Sequence, residues 1–191
     1  MVLHIIKGIP SINEGDLTTK TGKIIKCLKD TEKYRFLGVP ESEKHDTKGL
    51  ITNIARKVKQ RSHILWSSPL YDVNKVEATN TFVNSLITYM WSERFNLEDL
   101  RKIDREIRKT LNICGAKHPT QLNELLYIAR TKGGRGLRCI EDTYKETKIK
   151  SSIKLVINWD PHIKIVKQFH LQCQEKHRSS IFTEAIRYGK E

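Results

Sequence analysis

Four groups of residues in this chain could do chemistry: adjacent carboxylates, a cysteine–histidine segment, a glycine-rich basic turn, and runs of lysine and arginine. Two-metal chemistry needs carboxylates that converge on the ions. Paired aspartates on a tight turn are its usual source, and the chain has no Asp-Asp dipeptide. Glu98-Asp99 and Glu141-Asp142 are adjacent acids, but both stand where helices are expected to begin, and acidic side chains there answer the helix dipole. They are read as structural, and no residue is assigned a catalytic role. The chain also lacks Gly-x-Ser-x-Gly, HExxH and P-loop patterns. Cys173 and His177, with His170 one turn earlier, could share a helical face. A closed zinc site needs a fourth ligand, and the only nearby one, His162, lies on the same segment, so no metal is assigned. Gly133-Gly134-Arg135-Gly136 could cradle a phosphate with backbone N–H groups. The alternative, and the commoner fate of such a run, is a reversing turn whose glycines take positive φ.

The basic residues are the most informative group. Thirty-five Lys and Arg face twenty-two Asp and Glu, a formal charge of +13 and a pI near 9.6. A surplus of this size attracts polyanions through counterion release. Nucleic acid is the first candidate partner and an anionic membrane surface the second; the plain alternative is a solvated basic surface. No stretch resembles a membrane span, and no membrane partner is assigned. No Asp or Glu occurs between Asp46 and Asp72, whereas Lys48, Arg56, Lys57, Lys59 and Arg61 all do. Arg101, Lys102, Arg105, Arg108 and Lys109 repeat the basic pattern further on. Such faces suit phosphate contacts, which position a protein without reading sequence. Cys27, Cys114, Cys139 and Cys173 are widely separated, and no signal peptide is evident, so reduced thiols in an intracellular protein are expected.

These side chains need elements to hold them. Residues 2–6 read as a strand, and 23–28 and 33–39 as two strands of one hairpin. Tyr34 and Phe36 then share a face that either packs on helices or meets a nucleotide. From Asp46 the periodicity shifts to helical. Asp46 is expected to cap a helix to about Leu65, with Leu50, Ile51, Ile54, Val58 and Leu65 on its apolar face. Trp66 and Tyr71, in the loop that follows, could stack on a base or pack. Asp72 is expected to cap a second helix carrying Val73, Val76, Val83, Ile87 and Met90. Asn96 caps a third with the stripe Leu97, Leu100, Ile103, Ile107 and Leu111. Glu98–Lys102 and Asp104–Arg108 are expected i,i+4 pairs. A short helix through Leu122, Leu125 and Leu126 follows, then a helix over about Ile140 to Ile157. Asp160-Pro161 opens the last helical region. No internal repeat is apparent. The predicted segments are 1–45, 46–158 and 159–191.

Taken in order, these residues resemble a family. Lys33-Tyr34-Arg35-Phe36-Leu37-Gly38-Val39 resembles the Y-[KR]-[YF]-L-G primer-grip hairpin of non-LTR retrotransposon reverse transcriptases. Leu100 to Leu111 resembles their L-D-R-K-x-R-K-L helix, and Gly115-Ala116-Lys117-His118-Pro119 their G-A-x-H-P. Leu126 to Leu137 resembles L-Y-x-P-R-x-x-G-G-R-G-L, with Ala129 where the family has Pro, and Ile140-Glu141-Asp142 continues it. The likeness runs from about Val2 to Ile157.

The resemblance implies a mostly α fold with a small antiparallel β-hairpin: a thumb-like helical bundle (46–158) after a palm-edge strand and primer-grip-like hairpin (1–45), with a helical extension (159–191). The family's catalytic Y-x-D-D turn would stand before Met1. The implied role is therefore binding of template–primer, an RNA–DNA or similar duplex, without activity alone; Mg2+ enters only within a complete polymerase. The residues implied to contact nucleic acid are Tyr34, Arg35, Gly38, Lys48, Arg56, Lys57, Lys59, Arg61, Arg101, Lys102, Arg105, Lys132 and Arg135. The alternatives are a polymerase part completed in trans by a palm-bearing chain, and an inert product or protein-interaction scaffold. Retrotransposon ancestry suggests a nuclear stage. Lys145 to Lys154 is basic but interrupted, so nucleus and cytoplasm both stay open.

Overall fold

A computed structural model describes residues 4–6, 9–11, 17–25, 34–36, 39–41 and 46–190, with the strand segments 4–6, 9–11, 34–36 and 39–41 and residues Leu17 and Ile25 as backbone only. The chain divides into two compact units, Met1–Thr52 and Asn53–Glu191. The stretch expected as a separate extension, 159–191, therefore belongs to the same unit as 53–158.

The first unit holds three two-stranded antiparallel ladders. β1 (His4–Ile6) pairs with β2 (Ile9–Ser11), β3 (Leu17–Thr18) with β4 (Ile24–Ile25), and β5 (Tyr34–Phe36) with β6 (Val39–Glu41). This corrects the hairpin expected between 23–28 and 33–39, because 24–25 pairs back with 17–18 and 34–36 pairs onward with 39–41. Joining β5 to β6 across two residues costs less chain entropy than the four-residue turn expected, while β3–β4 is held by bonds of its own turn. Lys23 N–H donates to Thr19 Oγ1 at 3.0 Å, and Thr19 N–H donates to the Lys23 carbonyl at 2.9 Å. Ladders β1–β2 and β5–β6 share one register, Ile5 opposite Pro10 and Arg35 opposite Pro40. Gly8-Ile9-Pro10 and Gly38-Val39-Pro40 thus form a short internal repeat that the sequence reading did not anticipate.

Helices build everything after residue 46. α1 (Thr47–Trp66) starts where Gly49 N–H donates to Asp46 Oδ1 at 2.8 Å, the cap expected from the sequence. In the second unit α1 buries Ile54, Val58 and Trp66. α2 (Asp72–Ala78) runs through a π-helical turn (Thr79–Val83) into α3 (Ser85–Thr88). Asp72 is not its cap: the N-cap position is Tyr71, which makes no side-chain cap bond. α4 (Leu97–Ile113) is capped by Asn96 as expected, its side chain accepting from Glu98 N–H. α5 (Glu124–Tyr127) and a 3-10 turn (Arg130–Lys132) lead to α6 (Ile140–Ile157). α7 (Pro161–Glu175) is capped by Asp160, again as expected. α8 (Ile181–Tyr188) opens on a Ser180–Thr183 capping box.

The centre of the second unit is an apolar cluster that includes Val83, Ile87, Leu100, Ile103, Ile107, Leu111, Leu126, Ile140 and Tyr144, each at most 2% exposed. It takes the expected stripe of α4 from Leu100 onward, Leu97 staying half-buried, and adds the face of α6 that carries Ile140 and Tyr144. Lys148 and Ser152 continue that face at i+4 spacing and are also buried. The Lys148 ammonium meets Glu184 of α8 at 2.7 Å, and Arg94 reaches the other Glu184 oxygen at 3.2 Å. Buried charges persist only when paired and hydrogen-bonded, so this cluster fixes where α8 sits on α6.

Candidate nucleic-acid interface

The expected contact residues fall into three groups. Tyr34 and Arg35 lie on β5, described by backbone alone, and Gly38 lies outside the described residues. The α1 residues form the second group. Lys48, Arg56, Lys59 and Arg61 are exposed and Lys57 half-buried. Arg61 donates to the Phe82 carbonyl at 2.6 Å, which ties its guanidinium to the π-helical turn without removing its charge. Lys59 stands 4.0 Å from Glu106, a long exposed contact of little energetic weight. Arg56 and Lys57 have no acidic partner among the described residues. The acid-free run from Thr47 to Tyr71 thus becomes a cationic helix face whose charge the described acids offset only at Lys59.

The third group, on α4, differs. Arg101 holds Glu141 through two bonds, at 2.6 and 3.1 Å. Lys102 pairs with Asp99 at 2.6 Å and Arg105 with Glu98 at 2.8 Å. Lys109 pairs with Glu106 at 2.6 Å. The expected pairs Glu98–Lys102 and Asp104–Arg108 are not formed. Glu98 turns to Arg105 instead, whose hydrogen bond holds the Glu98 carboxyl below the usual carboxylate range. Arg108 donates to the Tyr127 hydroxyl at 2.8 Å. The α4 cations are therefore largely neutralised in place, and the second basic face is a salt-bridged surface rather than a bare one.

Asp104 is the chief residue that sequence reasoning misplaced. It is 3% exposed and accepts the Ile140 N–H through both oxygens at 3.1 Å, with the Cys139 thiol donating at 3.0 Å. It caps α6 from another helix. Burial pushes its carboxyl above the ordinary aspartate value against the pull of these donors, and burial beside it pushes the Cys139 thiol up to about 12. That thiol is no nucleophile at neutral pH. The signal was present: Asp104 stands four residues after Leu100 and three before Ile107, inside the apolar stripe.

The glycine-rich turn is structural. Gly133 has φ +83°, and a Cβ on Gly134 would overlap the Ile128 carbonyl. All four amides of the run are already spent. Those of Gly133, Gly134, Arg135 and Gly136 donate to the carbonyls of Arg130, Ala129, Leu125 and Ile128. This is the reversing turn of the two readings, since a phosphate cradle would need those N–H groups free. The turn is also held from outside. Asn80 donates to the Gly136 carbonyl at 2.9 Å and accepts from Arg138 N–H at 2.8 Å, while Asn84 donates to the Arg138 carbonyl at 3.0 Å. Arg135 bonds the Ala116 carbonyl and sits 3.4 Å from Asp72, so it serves the loop. Lys132 stays exposed.

Trp66 is 2% exposed and donates to Thr79 Oγ1 at 3.1 Å, which removes it as a stacking surface; Tyr71 remains exposed. His170 packs against Phe182, with ring centroids 5.6 Å apart, and desolvation lowers its pKa. His177 lies past the end of α7. Among the described residues no group of three His, Cys, Asp or Glu is placed to hold a metal ion. No described helix is long and apolar enough to cross a membrane. No family model, no curated protein and no solved structure gives a significant match to the chain.

Proposed function

We propose that this chain binds a nucleic-acid duplex through the cationic face of α1, as the thumb-like part of a retrotransposon-type RNA-directed DNA polymerase. The observation that carries the reading is the contrast between two basic helices. On α4 the cations are matched by carboxylates, whereas Arg56, Lys57, Lys59 and Arg61 stand on a helix with no acid of its own. Such a face gains from releasing the counterions of a polyanion and needs no base contacts. A duplex containing RNA, held by shape, phosphates and 2′-hydroxyls, is the form that the motif resemblance favours. Mg2+ and a palm-bearing partner belong to the complete polymerase in this reading.

The test is the affinity of the purified chain for a short RNA–DNA primer–template, titrated against salt beside a double-stranded DNA control. Binding with a steep salt slope and a preference for the hybrid supports the proposal. No binding from a chain that circular dichroism shows to be helical overturns it.

A further inference from the structure

One face of α6 belongs to the core. The other, along Thr143, Thr147, Ser151 and Lys154 at helical spacing, lines an open groove of about 530 Å³ that also takes in Trp91, Arg138, Lys150 and Ile163. From Thr143 to Asn158 the groove follows α6 for about 22 Å at the helical rise. Its floor carries little free polarity. The Thr143 and Thr147 hydroxyls turn back onto the Cys139 and Thr143 carbonyls at 2.7 and 2.6 Å. Leu155, Ile163 and the half-buried Trp91 supply apolar and aromatic surface. The one acid, Glu146, is spent on Lys150 at 2.6 Å. Arg138 and Lys154 are exposed; Arg138 forms no salt bridge among the described residues but its charge acts on Glu146, and Lys154 has no acidic partner among them. Trp159, 94% exposed, directly follows groove residue Asn158.

We infer that this groove is a track for single-stranded nucleic acid, with a base against Trp91 and the backbone phosphates on Arg138 and Lys154. Aromatic surface beside exposed cations along an elongated trough is the combination that single strands use, because every base has a π face and every linkage a charge. A duplex keeps its bases stacked inside and cannot present one to Trp91. An acidic peptide would use the cations and leave the aromatic wall idle. The track uses other residues than the α1 face and does not depend on the duplex reading.

The experiment measures binding of a labelled single-stranded thymidine decamer to the whole chain by fluorescence anisotropy. Arg138→Gln with Lys154→Gln, both exposed and so of little consequence for folding, is expected to weaken binding about tenfold. Trp91→Leu is expected to weaken it by a similar factor, with Trp91→Phe close to wild type, because stacking needs the ring. If Trp91→Leu lowers helicity, the two cation changes decide alone. Affinity within twofold of wild type for the Arg138/Lys154 variant overturns the inference. So does displacement of the decamer by polyglutamate at equal charge concentration, which would make the groove a site for acidic peptides. A parallel titration with the hybrid duplex separates the two proposals: the groove variant should leave duplex affinity unchanged, and loss of duplex binding alone would count only against the α1 face.

Discussion

Asp104 shows how one side chain can join two helices. Its carboxylate receives the first amide of α6 from a position inside the α4 stripe, so it does the work of an N-cap across a tertiary contact. Asp104→Ala is expected to strand the buried Ile140 N–H and cost about 1–3 kcal/mol, read as a lower urea midpoint. Asp104→Asn keeps an acceptor and should cost less. The comparison depends on pH in a defined direction. Burial raises the Asp104 pKa, so the folded chain holds the proton more tightly than the unfolded one. The stability of the wild type relative to Asp104→Asn is greatest below the unfolded aspartate range and falls as pH rises through the raised folded value. A difference that rises with pH instead would mean that the donors, not burial, govern this carboxyl. Gly134 makes a second residue-level case. Its side-chain position is filled by the Ile128 carbonyl, so Gly134→Ala should destabilise by about 1–3 kcal/mol through overpacking. Gly133→Asn, with open space and a positive φ that Asn tolerates, should be close to neutral in the same urea titration.

At the scale of elements, local signals were legible and long-range partners were not. The caps Asp46, Asn96 and Asp160, the extent of α6 and the α4 stripe could all be read from spacing, because each depends on residues within a turn or two. Strand pairing could not, since Ile24-Ile25 has apolar segments on both sides and nothing local says which it joins. The π-helical turn was invisible for a similar reason. It serves Asn80 and Asn84, whose partners lie more than fifty residues away. The cationic face of α1 was legible from an acid-free run; on α4 the Arg101 pairing was not, because Glu141 comes from another helix, while Lys102, Arg105 and Lys109 pair within α4 but with other acids than the i,i+4 spacing suggested. The docking of α8 on α6 is the element-level case open to test. Truncating Glu184 strands the buried Lys148 ammonium and should cost about 3–5 kcal/mol, whereas truncating Lys148 leaves Glu184 paired with Arg94 and should cost less. Lys148→Met together with Glu184→Leu removes both charges and should recover most of the larger loss. Thermal unfolding of the two single variants and the double variant checks it, and a double variant as unstable as the Glu184 single variant would show that the pair's own attraction holds α8 in place.

Across the whole molecule the question is which part of the +13 formal charge a polyanion can use. Cations that already face carboxylates must exchange one partner for another, so they add little to the counterion release that drives binding. Bare cations add about one counterion for each phosphate they meet. Two variants of equal charge loss therefore separate place from total. Changing Arg56, Lys57, Lys59 and Arg61 to Ala should weaken duplex binding and flatten the slope of log affinity against log salt, by about one for each of these residues that touches a phosphate. Changing Arg101, Lys102, Arg105 and Lys109 to Gln removes the same formal charge from the salt-bridged surface. It should move the slope much less, while freeing carboxylates that repel the ligand at long range. That repulsion is screened beyond about 10 Å at 0.1 M salt, so the affinity gap between the two variants should be read at and above that concentration. Equal slopes for the two variants would mean that the chain binds through net charge alone, and the pairing seen on α4 would then have no bearing on recognition.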